Sequence, residues 1–194
     1  MIPWGADKNR VAGYLLDRRT SGLRVFLPGT DETGRLWRWS SLTDAEITGS
    51  VLWRDVVHAE SPRGLPAGLT PAAATIDVST ASAFVDVLGS LGASLTAEVV
   101  RWSGYGDAGG LSRGTPEGEY VLSTEGLSEL FTRSDRLPAF VWFPELGTSI
   151  GAPLYADSLF LSGPREVLTR FGRRPELEVS GVRADEPLPL PGFE

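Results

Sequence analysis

Apolar residues recur at helical spacing in four segments of the chain. Between 80 and 92, for example, Phe84, Val87 and Leu88 share one stripe, and polar residues fill the opposite face. The same spacing predicts helices over 7–19, 80–92, 124–134 and 164–172. A fifth helix is expected to begin at Thr43, which starts the capping-box pattern Thr-Asp-Ala-Glu.

Short apolar or alternating runs lie between the predicted helices and indicate β-strands. They predict strands over 23–27, 74–78, 95–102, 120–122, 139–143, 158–161 and 177–182. In the last of these, Leu177 and Val179 alternate with Glu176, Glu178 and Ser180. Because charged positions discourage pairing with another chain, this alternation is typical of a half-exposed edge strand.

The alternation of strands and helices predicts the fold class. We expect an α/β or α+β protein, with a mixed sheet built from strand–helix–strand units and helices covering the sheet. The length of 194 residues and a hydrophobic content of 41% suit a single domain with an ample core. We assign this domain to 1–183 and a proline-rich tail to 184–194.

Composition and charge narrow the classes of function. The chain has no cysteine, which excludes thiolate metal sites, iron–sulfur clusters and cysteine nucleophiles. Its first residues do not resemble a secretory signal, and no apolar run is long enough to span a bilayer, so we expect a soluble, cytoplasmic protein. The net charge of −7 argues against binding to nucleic acid or to an anionic membrane, and it suits a basic partner.

A glycine-rich segment is the first candidate for chemistry. Residues 104–109 match the spacing G-x-G-x-x-G after a predicted strand, but the glycines, serine and proline that follow do not favour the helix that a dinucleotide site requires. We therefore expect no nucleotide and no other cofactor. The loop 103–118 still presents Tyr105, Asp107 and Arg113, either as a lid or partner-binding loop or as a flexible connection.

Catalytic and metal-binding patterns are weak. His58 is the only histidine, and Asp55 could orient it as a general base if 44–58 is helical. A lone histidine beside two valines is more often a surface or packing residue. The chain has no histidine pair and no calcium-loop spacing, so we predict no metal site. These residue types argue against an enzyme more than for one.

The densest aromatic signal is the run Arg35-Leu36-Trp37-Arg38-Trp39. If it is a strand, Arg35, Trp37 and Trp39 share one face, and Leu36 and Arg38 share the other. Tryptophan beside arginine is typical of interface hot spots, and cation–π stacking could orient the arginines. In the alternative interpretation the tryptophans fill the core, and we favour that interpretation for at least one of them.

A second group of arginines occurs at 170, 173 and 174, where the last predicted helix ends. Cations at this place complement the helix dipole, and we prefer this structural interpretation to an anion site.

Taken together, these patterns favour a non-catalytic module that binds a basic protein partner through Arg35, Trp37, Arg38 and Trp39. An antitoxin-like or immunity-like role would suit the small size and the acidity, by analogy only. One alternative is an enzyme or small-ligand binder with a pocket under loop 103–118. Another is a structural subunit that self-associates through the edge strand 177–182.

Overall fold

A computed structural model describes the chain over 9–16, 21–59, 64–92, 95–105, 113–114, 120–131 and 136–189. Two sheets occur in these residues. The larger contains β1 (Ser21–Phe26), β4 (Thr96–Trp102), β5 (Arg113–Gly114), β6 (Tyr120–Gly126), β7 (Phe140–Phe143), β8 (Thr148–Gly151), β9 (Ser158–Ser162) and β10 (Glu178–Arg183). The smaller is a hairpin of β2 (Gly29–Thr30) and β3 (Leu36–Trp37).

The strands of the large sheet follow the order β10-β1-β9-β8-β7-β4-β6-β5. Every pairing between them in the described residues is antiparallel, so the expected mixture of parallel and antiparallel strands is wrong. β10 lies at one edge, as the alternation around 177–182 predicted. Its partner β1 pairs with β9 on the other side, which joins distant parts of the chain.

Four α-helices occur in the described residues: α1 (Trp53–His58), α2 (Val78–Gly89), α3 (Leu127–Leu130) and α4 (Arg165–Gly172). The helices expected over 80–92 and 164–172 are confirmed by α2 and α4. At α2 the local signals agree, because Asp77 accepts a hydrogen bond from the Thr80 backbone N–H and so caps the first turn. The apolar stripe of Phe84, Val87 and Leu88 is buried, as its spacing predicted.

Three other predicted helices are wrong or shortened. In 7–19 the described part holds only a 3₁₀ turn, Val11–Tyr14, because the N–H groups of Val11 and Ala12 bond to carbonyls of residues 186 and 184 rather than within a helix. In 124–134 strand β6 continues to Gly126, which leaves α3 with four residues. At Thr43 the hydroxyl accepts the N–H of Ala45 in a local turn, and no helix follows until α1.

The strand expected over 74–78 is also absent. Ala74 has a φ of 60°, outside the extended region, and Asp77 already caps α2. The backbone of Ala74 instead bridges two segments, since its N–H donates to Ala156 and its carbonyl accepts from Leu137.

The buried residues of the large sheet face two sides. On one side, Val25 and Leu161 of the sheet belong to one apolar cluster with Phe84 of α2 and Phe171 of α4. On the other side, Phe26 packs with Trp39 and Leu42 from the segment that follows the hairpin and with Trp53 and Val56 of α1. This second cluster supports the candidate site described below.

The last described residues pack against the sheet region. The Leu188 N–H donates to the Asn9 carbonyl, and Leu188 is buried beside Val11 and Phe160. None of the helices in the described residues is long and apolar enough to cross a membrane.

Candidate functional site

The hairpin of residues 29–37 is organised by the carboxylate of Asp31. One of its oxygens accepts the backbone N–H groups of Thr33 at 2.9 Å and Arg35 at 3.0 Å. The other accepts the indole N–H of Trp37 at 2.8 Å. Hydrogen bonds from the Thr33 hydroxyl and from Trp37 favour the charged form and lower the pKa of Asp31 to about 2. Asp31 thus ties both strands of the hairpin and its turn together.

Arg35 and Trp37 form an exposed stack on this hairpin. The guanidinium carbon of Arg35 lies 4.3 Å from the centre of the Trp37 ring, within cation–π distance. The Trp37 ring is half-buried and Arg35 is exposed. The two side chains share one face, as the alternation predicted, and their role as contact residues stays a prediction.

Trp39, two residues further on, is fully buried, which confirms the core interpretation favoured for at least one of the two tryptophans and excludes Trp39 as a contact residue. Its indole N–H donates to the Leu27 carbonyl at 2.8 Å, and its ring packs against Phe26 and Trp53 at 4.8 and 5.2 Å. The physical reason is that β3 ends at Trp37 and only Arg38 continues the extended conformation. A 3₁₀ turn begins at Trp39, so the alternation of faces does not continue.

A buried arginine lies behind Trp39. Arg24 of β1 is fully buried, with its guanidinium carbon 4.6 Å from the Phe26 ring and 5.3 Å from the Trp39 ring. It donates to the carbonyls of Gly49 at 3.1 Å and Val51 at 2.6 Å. Arg24 therefore ties the irregular segment 49–51 to the sheet.

The counter-ion of Arg24 is Asp157, at the start of β9. The two side chains meet through a single contact of 3.3 Å, and the Ser158 hydroxyl donates to the same carboxylate oxygen at 2.8 Å. Burial outweighs these contacts and raises the pKa of Asp157 above its usual value. Neither Arg24 nor Asp157 is accessible to a ligand, so this network supports the residues of the site and does not itself contact a ligand.

An acidic cleft opens between the hairpin and the first turn of α2. Its volume is about 210 Å³, and it is lined by Leu36, Arg38, Asp77, Ser79, Glu176 and Glu178, among others. Leu36 and Arg38 thus reach the same cleft, in agreement with their shared face in the sequence pattern. The Arg38 guanidinium donates to the Pro175 carbonyl at 2.7 Å, which holds it against the wall.

The three carboxylates of the acidic cleft differ in how they are bonded. Glu178 accepts the backbone N–H groups of Trp39 at 2.8 Å and Ser40 at 2.7 Å, so both its oxygens are used. Asp77 uses one oxygen to cap α2, and its other oxygen, Oδ2, is buried without a hydrogen bond. Glu176 Oε2 is also buried without a hydrogen bond, although Arg174 Nε lies 3.1 Å away. In the described residues these are the two buried carboxylate oxygens that accept no hydrogen bond.

Two exposed apolar residues flank the acidic cleft. Leu36 is 46% exposed on its wall, and Val78 is 83% exposed between Asp77 and Ser79. Isolated exposed apolar residues are common, so the exposure of Leu36 and Val78 assigns no role by itself.

The weak catalytic candidates do not form a pair. Asp55 accepts the Leu52 backbone N–H at 3.1 Å and so caps α1, while His58 is exposed at the other end of the helix. No hydrogen bond joins Asp55 to His58. The helix spans 53–58 only, not the 44–58 that the hypothesis assumed.

The predicted loop residues are placed only in part. Asp107 lies outside the described residues, and Tyr105 and Arg113 are described in their backbones alone, in a 3₁₀ turn and in β5. Over the part of the chain that the structure describes, no three acidic or histidine side chains are grouped as a metal ion would require.

Sequence reasoning missed the carboxylates of the acidic cleft. Asp77 carried a detectable signal, because an aspartate before Val-Ser-Thr is a typical helix cap. Glu176 and Glu178 were noted only as the polar side of an edge strand. Glu176 and Glu178 lie near Arg38 because of the order of the strands in the sheet, and no local pattern in the sequence reveals that order.

No family model matches the chain, and neither the curated proteins nor the solved structures include a significant match to it.

Proposed function

We propose that this protein is a non-catalytic module that binds a basic protein partner. The partner inserts an arginine or lysine side chain into the acidic cleft and covers the hairpin stack of Arg35 and Trp37. The observation that carries the proposal is that one small cleft holds two carboxylate oxygens that accept no hydrogen bond, Oδ2 of Asp77 and Oε2 of Glu176, of which only the second is ion-paired in the described residues, with Arg174 at 3.1 Å. A partner's N–H donor would satisfy them, and such charge-assisted hydrogen bonds are among the stronger ones.

The charge of the acidic cleft supports a basic rather than an acidic partner. Its lining holds three carboxylates, Asp77, Glu176 and Glu178, and one guanidinium, Arg38. The whole chain carries a net charge of −7, which would speed the approach of a basic protein at low salt. Arg38 is bonded to a carbonyl and Glu176 is paired with Arg174, so among the described residues Asp77 is the carboxylate of the cleft that keeps an oxygen without a partner.

The shape of the surface supports a protein rather than a small cation alone. Leu36 and Val78 offer exposed apolar area beside the cleft, and Trp37 with Arg35 offers a rigid aromatic contact. Aromatic residues and arginine dominate the binding energy of many interfaces. Because Asp31 already fixes the hairpin, little conformational entropy would be lost on binding.

Two finer features of the fold belong to this proposal. We infer that α2 and α4 cover one face of the sheet, since Phe84 and Phe171 share a cluster with Val25 and Leu161. The other face, with Trp39 and Arg24, then supports the hairpin from below. An antitoxin-like or immunity-like role remains an analogy that fits an acidic binder of a basic protein.

The test is a titration of ¹⁵N-labelled protein with a short amidated peptide that carries arginine next to leucine. We expect saturable shifts confined to the amides of 36–38, 77–80 and 176–178. Asp77→Asn keeps a good helix cap but removes the charge, and it should weaken binding about tenfold, which corresponds to about 1.4 kcal/mol. Trp37→Ala should also weaken binding of a protein partner captured with the wild-type chain.

The control is Asp44→Asn, which removes the same charge at an exposed position outside the acidic cleft. This variant should bind the peptide like the wild type. Equal losses for Asp77→Asn and Asp44→Asn, or shifts spread over the whole surface, would show that the peptide responds to net charge alone and would contradict the proposal.

A further inference from the structure

A second concave surface, of opposite charge, lies beside α4. This arginine groove has a volume of about 610 Å³ and runs between α4 and the first residues of β1. The residues that matter for its chemistry are Ser21, Leu23, Arg165, Leu168, Thr169 and Arg173. Its volume falls within the range of about 300–1,000 Å³ that is typical of small-molecule sites.

The arginines around α4 fall into two groups. Arg170 pairs with Glu166 at 3.2 Å, and Arg174 pairs with Asp86 at 3.0 Å. Arg165 and Arg173 line the arginine groove, and neither has a carboxylate within 4.0 Å in the described residues. Arg174 therefore has local acidic partners, whereas Arg173, at the C-terminal end of α4, has none in the described residues.

The spacing along α4 directs these two arginines to the same side. Arg165 opens α4, and Arg173, eight residues later, is its C-cap residue with a helical backbone, which places both on the row of Thr169. The Thr169 hydroxyl donates to the Arg165 carbonyl at 2.7 Å, so the two guanidinium groups are the donors that this row offers to the groove. In an acidic protein, two like charges in one groove without counter-ions leave a local positive potential.

We propose that the arginine groove binds a small organic anion through its phosphate or carboxylate group. Arg165 and Arg173 donate to the oxygens of that group, because the guanidinium fork matches both oxyanions. The apolar part of the ligand rests on Leu23 and Leu168 at the groove wall. This site is separate from the acidic cleft and does not depend on the proposed protein partner.

The experiment compares three probes at low salt: inorganic phosphate, phenyl phosphate and benzoate. Binding is followed by calorimetry and by the amide shifts of 163–173. We expect phenyl phosphate to bind more tightly than inorganic phosphate, since only the former covers the leucines. If benzoate binds as well as phenyl phosphate the ligand is a carboxylate, and if it binds more weakly the ligand is a phosphate.

Arg165→Gln and Arg173→Gln should each weaken phenyl phosphate binding about tenfold or more, the usual loss for one charge-assisted contact. Arg54→Gln is the matched control, because Arg54 is exposed on α1 and loses the same charge outside the groove. Three results would overturn the proposal: no saturable binding of any probe, no effect of the two groove variants, or an equal effect of Arg54→Gln.

Discussion

The two buried ion pairs of the described residues show two uses of a buried charge. In one half of the sheet, Arg101 of β4 grips Glu125 of β6 with two hydrogen bonds, at 3.2 and 2.9 Å. In the other half, Arg24 contacts Asp157 through one contact of 3.3 Å. Its other N–H groups donate to the Ser158 hydroxyl and to carbonyls of the irregular segment 49–51. The first pair joins neighbouring strands, whereas the second attaches a segment without regular structure.

The consequence for the candidate site follows from what each arginine holds. Arg101 also donates to the carbonyls of Leu130 and Arg136, so it fixes the region after β6 and α3. Arg24 lies under Trp39, whose backbone N–H bonds to Glu178 in the acidic cleft. A substitution in the pair Arg24–Asp157 should therefore alter the acidic cleft, whereas a substitution in the pair Arg101–Glu125 should not.

The largest effect is expected for Arg101→Met. This change removes both hydrogen bonds of Arg101 from the Glu125 carboxylate, whose side chain has no exposed surface. The free energy of unfolding should fall by about 3–5 kcal/mol, as measured by urea denaturation. The double variant Arg101→Met with Glu125→Leu should recover much of that loss, since neither member of this pair is then charged. A double variant no more stable than the single one would show that the ion pair is not the cause.

A smaller effect on stability, with an added effect on binding, is expected for Arg24→Met. Asp157 keeps the Ser158 hydroxyl, and segment 49–51 can open to water, so we expect a loss of about 2–3 kcal/mol. At temperatures at which it is still folded, the same variant should bind the peptide of arginine and leucine several-fold more weakly than the wild type. Arg101→Met should bind this peptide like the wild type. Equal affinity of Arg24→Met and Arg101→Met for the peptide would contradict the distinction between the two ion pairs.

The smallest expected effect is the change in stability with pH that arises from Asp31 and Asp157. Asp31 and Asp157 have pKa values displaced in opposite directions, because hydrogen bonds favour the charge of Asp31 and burial disfavours that of Asp157. The contribution of Asp31 to the hairpin is present above its usual pKa of 3.8 and is lost as pH falls through about 2. Asp157 acts with the opposite sign, since its charged form costs stability as pH rises above the usual value.

The measurement is an NMR titration of the indole N–H signals. The signal of Trp37, bonded to Asp31, should move with a midpoint near pH 2, as long as the chain stays folded. The signal of Trp39, bonded to the Leu27 carbonyl, serves as the internal control and should stay in place. In Asp31→Asn the Trp37 signal should lose its titration, and persistence of the step would assign it to another group.

The sequence predicted those parts of the fold in which local signals agree. Helix α2 has both a cap at Asp77 and an apolar stripe, and β9 is a short apolar run, so both were found. Strand β6 was predicted too short, because Ser123, Thr124 and Glu125 are polar and yet pair with β4. The burial of Glu125 is explained by Arg101, a partner that no local pattern reveals.

The candidate site could be predicted only where it is one segment of chain. The hairpin stack of Arg35 and Trp37 followed from composition and alternation. Trp39 was misplaced by the same alternation, since a 3₁₀ turn interrupts it. The acidic cleft brings together residues near 37, 78 and 177, and such long-range meetings follow from strand order rather than from any periodicity.

The position of β1 in the sheet has a consequence for synthesis of the chain. β1 pairs with β9 and β10, and Asp157, the counter-ion of Arg24, lies 133 residues further along. At a translation rate of roughly 5–20 residues per second, β1 leaves the ribosome on the order of ten seconds before either neighbouring strand exists. During that interval Val25 and Phe26 have no sheet to join, and both edges of the strand are open to other nascent chains.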